Sequence, residues 1–265
     1  MIPVDVVILT WNDGDLLAVA VDSALDQPRV DATVTIVDNG SDPPARVTRP
    51  GVQTIRSATN LGVGGGRNLG VRAGAAPYVC VLDSDARLHR GALASLVQPL
   101  EDDATIGLSA PVFSGQRPEA SAGRAPTLRR KVLRGLNRTD LYATTARQGR
   151  GPWWDVEFAI GACQVFRRDA FDAVGGLDAS ARFGPEDVDF CLRLRIAGWR
   201  AVQVGGPLCD HPPRRVFRGI WTPRGAAHAA AFARHWWRHR RPATGRALVA
   251  GPSGRGPGPG SARDE

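Results

Sequence analysis

Through the first hundred residues, short apolar runs alternate with segments of helical periodicity, and a chain patterned in this way is restricted to a sheet wrapped by helices, the doubly wound α/β class. Val4 to Thr10 reads as a buried strand. Asn12 and Asp13 offer caps for a helix carrying Leu16, Leu17, Ala20, Val21, Ala24 and Leu25, and Pro28 closes that region. Val34 to Val37 and Val52 to Arg56 are the next strands, with the turn-rich Asp38-Asn39-Gly40-Ser41-Asp42-Pro43-Pro44 between them. Gly64-Gly65-Gly66 opens a helix to about Ala75. Tyr78 to Leu82 is a strong central strand that runs directly onto Asp83-Ser84-Asp85, and a helix over about 91–100 follows.

Further along, the segment 114–150 is rich in Pro, Gly and Arg and reads as a long flexible basic loop, a candidate active-site flap, with one short helix near 128–136. Val156 to Phe166 is expected as one apolar strand. Helices near 168–174 and 185–197 and a last strand at 199–204 complete the ordered part. These elements divide the chain into a domain over 1–211 (halves 1–113 and 151–211), a basic helical extension over 212–241 and a disordered tail over 242–265.

Composition narrows the class. With 43% hydrophobic residues in 265, the chain can bury a sizeable core, and no apolar run approaches the ~20 residues that span a bilayer, so a cytoplasmic protein is expected. Cys80, Cys163, Cys191 and Cys209 stand too far apart for a zinc or redox pair and read as free thiols. The net charge of +8 is concentrated: eleven arginines and no carboxylate lie between His211 and Arg263. Basic surface attracts phosphate of any kind, but no nucleic-acid-binding motif accompanies it, so no nucleic-acid partner is expected. A helix bearing Phe232, Trp236 and Trp237 among arginines could lie peripherally on an anionic membrane or pack on the domain.

In open α/β sheets, ligands bind outside the carboxyl ends of the strands. Three such ends carry polar residues here: Thr10-Trp11-Asn12-Asp13, Asp38-Asn39-Gly40-Ser41 and Asp83-Ser84-Asp85. The two carboxylates of the last can approach one hard divalent cation, Mg2+ or Mn2+, of the sort that bridges substrate phosphates. With Asn60-Leu61-Gly62 and Arg67-Asn68-Leu69-Gly70 between them, these pieces stand in the order found in the bacterial family 2 glycosyltransferases, which the chain resembles. Its second half adds Gly161 to Arg168, Phe171 to Asp178, and Pro185-Glu186-Asp187 through Trp199, similar to the acceptor-side region of that family. Ala179 stands where the family commonly has an acidic residue, and Ser180 to Gly184 replace an aromatic run, which leaves the acceptor open.

The resemblance implies a glycosyltransferase A-type fold, with a Rossmann-like, mostly parallel sheet, and a metal-dependent inverting enzyme of hexosyl- or rhamnosyltransferase type. Its donor would be a UDP- or dTDP-sugar, and its acceptor a hydroxyl on a lipid-linked glycan or a metabolite. By the same resemblance Thr10 and Asp38 would contact the nucleoside, and Arg67 the donor nucleotide or its diphosphate, with the Gly64–Gly66 backbone drawing near unless those glycines serve a tight strand-to-helix connection. Asp85 would be the principal metal ligand, Asp83 would face the metal or the donor sugar, and His211 would be a third ligand. Asp187 would be the catalytic base and Glu186 an acceptor contact. A nucleotidyltransferase acting on sugar phosphates and a non-catalytic sugar-nucleotide-binding module share parts of this pattern; turnover of a nucleotide sugar separates them.

Overall fold

The structure is a computed structural model, and it describes residues 1–114, 121–125, 151–180 and 184–212. The short helix expected near 128–136, the helix expected to bear Phe232, Trp236 and Trp237, and the tail lie outside the described residues.

The first half folds as β1 (Ile2–Thr10), α1 (Leu16–Leu25), β2 (Val30–Asp38), β3 (Val52–Arg56), α2 (Gly62–Ala73), β4 (Tyr78–Asp83), β5 (Arg87–Leu88) and α3 (Ala92–Asp102). The second comprises β6 (Ile106–Phe113), β7 (Ala122–Gly123), β8 (Trp153–Val156), β9 (Phe158–Ala159), β10 (Cys163–Arg167), α4 (Arg168–Ala173), α5 (Glu186–Ile196) and β11 (Arg200–Asp210). The main sheet runs β3-β2-β1-β4-β10-β6-β11-β5, with β8 added against β11. Strands β3, β2, β1 and β4 are mutually parallel, as are β6 and β11, while β10 lies antiparallel between β4 and β6.

Side-chain alternation along the strands makes two apolar layers. Val4, Val6 and Ile8 of β1 and Cys80 and Leu82 of β4 face α1 and α3, where Leu17, Val21, Leu93 and Leu96 meet them. Val7, Val79 and Val81 point to the other face, under Val71 of α2, Phe171 of α4 and Phe190 of α5. Five glycines make α2 a poor helix by propensity, so its stability comes from packing. A methyl at Gly70 would fall 2.3 Å from Val7 Cγ1, so only glycine lets the helix sit so close to the sheet. On the same face Phe166, Phe171 and Phe190 form an aromatic trio with centroids 5.3–6.0 Å apart, which pins α4 and α5 to β10. That clamp fixes where the N-terminus of α5, with Glu186 and Asp187, emerges.

Several expectations are corrected. Asn12 and Asp13 do not cap α1, whose N-cap is Asp15. Asn12, at φ 62°, accepts from the Asp42 N–H and donates its own N–H to Ser41, so the loops after β1 and β2 are knitted together. The single strand expected over 156–166 is broken into the end of β8, β9 and β10, because each piece pairs elsewhere: β8 with β11, β9 with β7, and β10 with β4 and β6. Strand β6, inside the sheet, contains Gly107 and Pro111, both poor residues for a central strand. Gly107 is there because the Trp199 side chain lies against it, 2.9 Å from where a methyl would be, and Pro111 sits where the register of β11 shifts. All four cysteines are buried and free.

Candidate active site

The carboxyl ends of β1, β2 and β4 lie side by side, with Thr10 opposite Asp38 and Leu9 opposite Asp83 in register. This brings together the three polar turns that the sequence spaces over more than seventy residues. Asp13 joins two of them: its Oδ2 accepts from the Trp11 N–H at 3.2 Å, from the Thr10 hydroxyl at 3.4 Å and from the Ser84 hydroxyl. The loop after β1 is thereby fastened to the turn between Asp83 and Asp85.

Asp38 is buried at the end of β2. Its Oδ1 accepts from the Ser41 N–H at 2.8 Å, and its Oδ2 from the Ala45 N–H at 3.1 Å and the Arg56 guanidinium at 2.8 Å. Burial opposes its ionisation, yet hydrogen bonds from Ser41 and Ala45 and the Arg56 cation outweigh burial and hold the carboxyl below its ordinary pKa. Arg56, at the end of an edge strand, carried no signal in the sequence that set it apart from other surface arginines.

Asp83, Asp85 and His211 offer ligand atoms that all lie within 4.8 Å of one another. His211 arrives there because β5 pairs antiparallel with the end of β11, Leu88 opposite Cys209 and Arg87 opposite Asp210. The His89 ring meets the Asp210 carboxylate at 2.8 Å and locks that pairing, while the His211 ring rests 5.0 Å from Phe113. His211 Nε2 stands 3.7 Å from Asp85 Oδ1. Two carboxylates and an imidazole form a donor set suited to Mn2+ or Mg2+ with room left for phosphate oxygens, and the residues present fit such an ion.

Arg67 is the largest surprise of the site. Projecting from α2, it is only 2% exposed. Its Nη2 donates to Asp83 Oδ1 at 2.6 Å and its Nη1 reaches Glu186 Oε1 at 3.5 Å. Burial disfavours the cation, but Asp83, Glu186 and Asp187 together more than restore it, so its pKa rises. Gly161 lies directly over the guanidinium, where a methyl would fall 2.4 Å from Nη1. The Gly161 N–H in turn donates to Asp187 Oδ2 at 3.1 Å, and Asp187 Oδ1 accepts from the Val188 N–H. The Gly64–Gly66 run is also occupied by the protein itself: a methyl at Gly64 would strike the Asp178 carbonyl, and one at Gly66 would strike Leu9.

Glu186, beside Asp187 in the first turn of α5, is buried, and its Oε2 has no hydrogen-bond partner among the described residues. Burial first and the neighbouring Asp187 second raise its pKa to about 7, against the lowering influence of Arg67. The consequence for stability has a definite sign. Between about pH 4.5 and 7 the unfolded chain ionises this group while the folded chain keeps it protonated, so stability is fully present at low pH and declines as pH rises through 7. The decline attributable to Glu186 should approach about 3 kcal/mol. Urea unfolding of the wild type and Glu186→Gln at pH 5 and pH 8 checks this: the wild type should lose stability relative to the variant at the higher pH, and a constant difference would refute it.

The architecture and this cluster, acidic residues at the carboxyl edge of a mostly parallel sheet with an acidic helix start facing them, define an α/β protein of the glycosyltransferase A-type fold. A mannosyltransferase from Pyrobaculum calidifontis, solved in complex with GDP-Man and Mn2+, superposes with a TM-score of 0.57 at 18% identity, covering 90% of this chain and 64% of that one. The family model described as Glycosyl transferase family 2 matches residues 5–175, and the chain belongs to that family. It is 29% identical over 268 residues to the N-acetylglucosaminyl-diphospho-decaprenol L-rhamnosyltransferase of Mycobacterium tuberculosis, covering 88% of this chain and 86% of the relative. An uncharacterized protein of the same organism is 34% identical over 185 residues, 66% of this chain, and the chain spans 61% of that relative's length. Among the described residues no helix is long and apolar enough to cross a membrane.

Proposed function

We propose that the protein is a metal-dependent, inverting glycosyltransferase that transfers a sugar from a UDP- or dTDP-sugar to a hydroxyl acceptor. The observation that carries this reading is the convergence of Asp83, Asp85 and His211 with the Glu186–Asp187 pair around one edge of the sheet. A divalent cation bound there would neutralise the diphosphate that leaves the donor. Asp85 and His211 would hold it, with Asp83 beside them.

Thr10 and Asp38 stand opposite one another at the ends of β1 and β2 and would contact the nucleoside. Asp187 takes the proton of the acceptor hydroxyl as its oxygen bonds to the anomeric carbon and the bond from that carbon to the diphosphate oxygen breaks. The N–H groups of Gly161 and Val188 fix the orientation of that carboxylate. Glu186, whose Oε2 has no hydrogen-bond partner among the described residues, would receive a second acceptor hydroxyl.

The relative named for action on N-acetylglucosaminyl-diphospho-decaprenol supports a lipid-diphosphate-linked glycan as the first acceptor to try. The test is transfer, followed by mass spectrometry, from UDP-, dTDP- and GDP-sugars to a short polyprenyl-diphosphate glycan with Mn2+ or Mg2+. We expect product from a UDP- or dTDP-sugar, lost on chelation. Transfer that survives chelation would remove the metal from the reading, and absence of transfer and of donor turnover across all donors would remove the activity.

A further inference from the structure

The carboxyl groups of Asp83, at the end of β4, and of Glu186 and Asp187, in the first turn of α5, converge on one guanidinium among the described residues. Arg67 is buried beneath all three, and its contacts are with the first two. A guanidinium is a rigid planar fork with several donors, able to hold two carboxylates at once where an ammonium holds one. Gly161 packs over it, and because a methyl there would fall 2.4 Å from Nη1 only glycine permits so close an approach. Asp83, by contrast, is about a third exposed, with Oδ1 taken by Arg67 at 2.6 Å. Asp85 lies on the other side of Ser84, next to His211.

From this geometry we propose that Arg67 is a positioning residue that acts on the protein's own carboxylates and not on the donor phosphates. It holds Asp83 by one oxygen, ties it to Glu186, and so assigns the cation chiefly to Asp85 and His211. Arg67 then opposes metal binding twice, by competing for Asp83 Oδ1 and by placing a fixed positive charge beside the ion. The inference rests on the metal site proposed above, and its direction is distinctive. Removing a residue that merely supports the fold loosens a metal site. Removing this one tightens it.

The experiment is Mn2+ titration of the nucleotide-free protein, read by calorimetry or by the spin-resonance signal of free Mn2+, on the wild type, Arg67→Met and Arg67→Lys. We expect Arg67→Met to bind Mn2+ about tenfold more tightly, and Arg67→Lys, which keeps the charge, to return toward the wild type. Should Arg67→Met fail to fold because Glu186 is left without its cation, the pair Arg67→Met/Glu186→Gln removes both charges and should show the same tightening. Unchanged or weaker Mn2+ binding in whichever of these variants folds would overturn the proposal. So would a loss of metal-free nucleotide affinity in Arg67→Met with Mn2+ affinity unaltered, the result for a residue that grips the diphosphate. Absence of Mn2+ binding in the wild type would instead strike the metal site itself and overturn the inference with it.

Discussion

Replacing Asp187 with Asn should lower kcat by roughly 10²–10⁴-fold while leaving donor affinity within a few-fold, because general-base catalysis contributes on that order and the substitution keeps size and most hydrogen bonding. The reasoning is local. Asp187 occupies the first turn of α5, with one oxygen on the Gly161 N–H and the other on the Val188 N–H. Asparagine can keep one of these contacts through its carbonyl but cannot take a proton, so the loss falls on the chemical step. Glu186→Gln should differ, raising the acceptor KM more than it lowers kcat. The product anomer should be opposite to that of the donor, since a single displacement inverts the centre. Steady-state kinetics with separate donor titrations, plus NMR of the product anomeric proton, decide the matter. Near-full turnover in Asp187→Asn, or retained configuration, would take Asp187 out of the mechanism.

Replacing Asp85 with Ala should abolish most of the metal-dependent gain in nucleotide-diphosphate affinity, a loss of about a hundredfold or more. Asp85 is nearly buried, and His211 stands 3.7 Å away. With Asp83 engaged by Arg67, no other described carboxylate belongs to the cluster. Calorimetry with UDP or dTDP, with and without Mn2+, measures the effect directly. His211→Ala should give a smaller loss of the same kind, because a neutral imidazole contributes less charge than a carboxylate. Undiminished metal-dependent binding in Asp85→Ala would move the cation elsewhere.

Much of this molecule is legible in order along the chain. The strands at Ile2–Thr10 and Tyr78–Asp83 and the helices at Leu16–Leu25 and Glu186–Ile196 follow from periodicity, because each buries a face whose spacing the residue types declare. Strand β6 is less legible: its Gly107 and Pro111 are poor strand residues taken alone, and their reasons, the Trp199 ring and a register shift, lie about ninety residues away. The break at Gly161 is hidden for the same cause. Within an apolar run nothing distinguishes a residue that continues a ladder from one that leaves it to cover a buried guanidinium.

What the sequence by itself determined is therefore the layered α/β architecture and the inventory of polar strand ends, since burial periodicity and turn chemistry are properties of neighbouring residues. The ordered motifs also placed it in its family. Only the tertiary structure decided what those residues face. The same Asx-rich turns that promised helix caps became a knot between β1, β2 and β4, and within the Gly64–Gly66 run Gly66 lets α2 approach Leu9 while Gly64 faces the Asp178 carbonyl. Arg67 became a buried strut between Asp83 and Glu186. The physical reason is that a charge buried in a low-dielectric interior takes whichever countercharge the fold delivers, and that partner is set by long-range packing, here the aromatic clamp of Phe166, Phe171 and Phe190 that carries Glu186 and Asp187 into place.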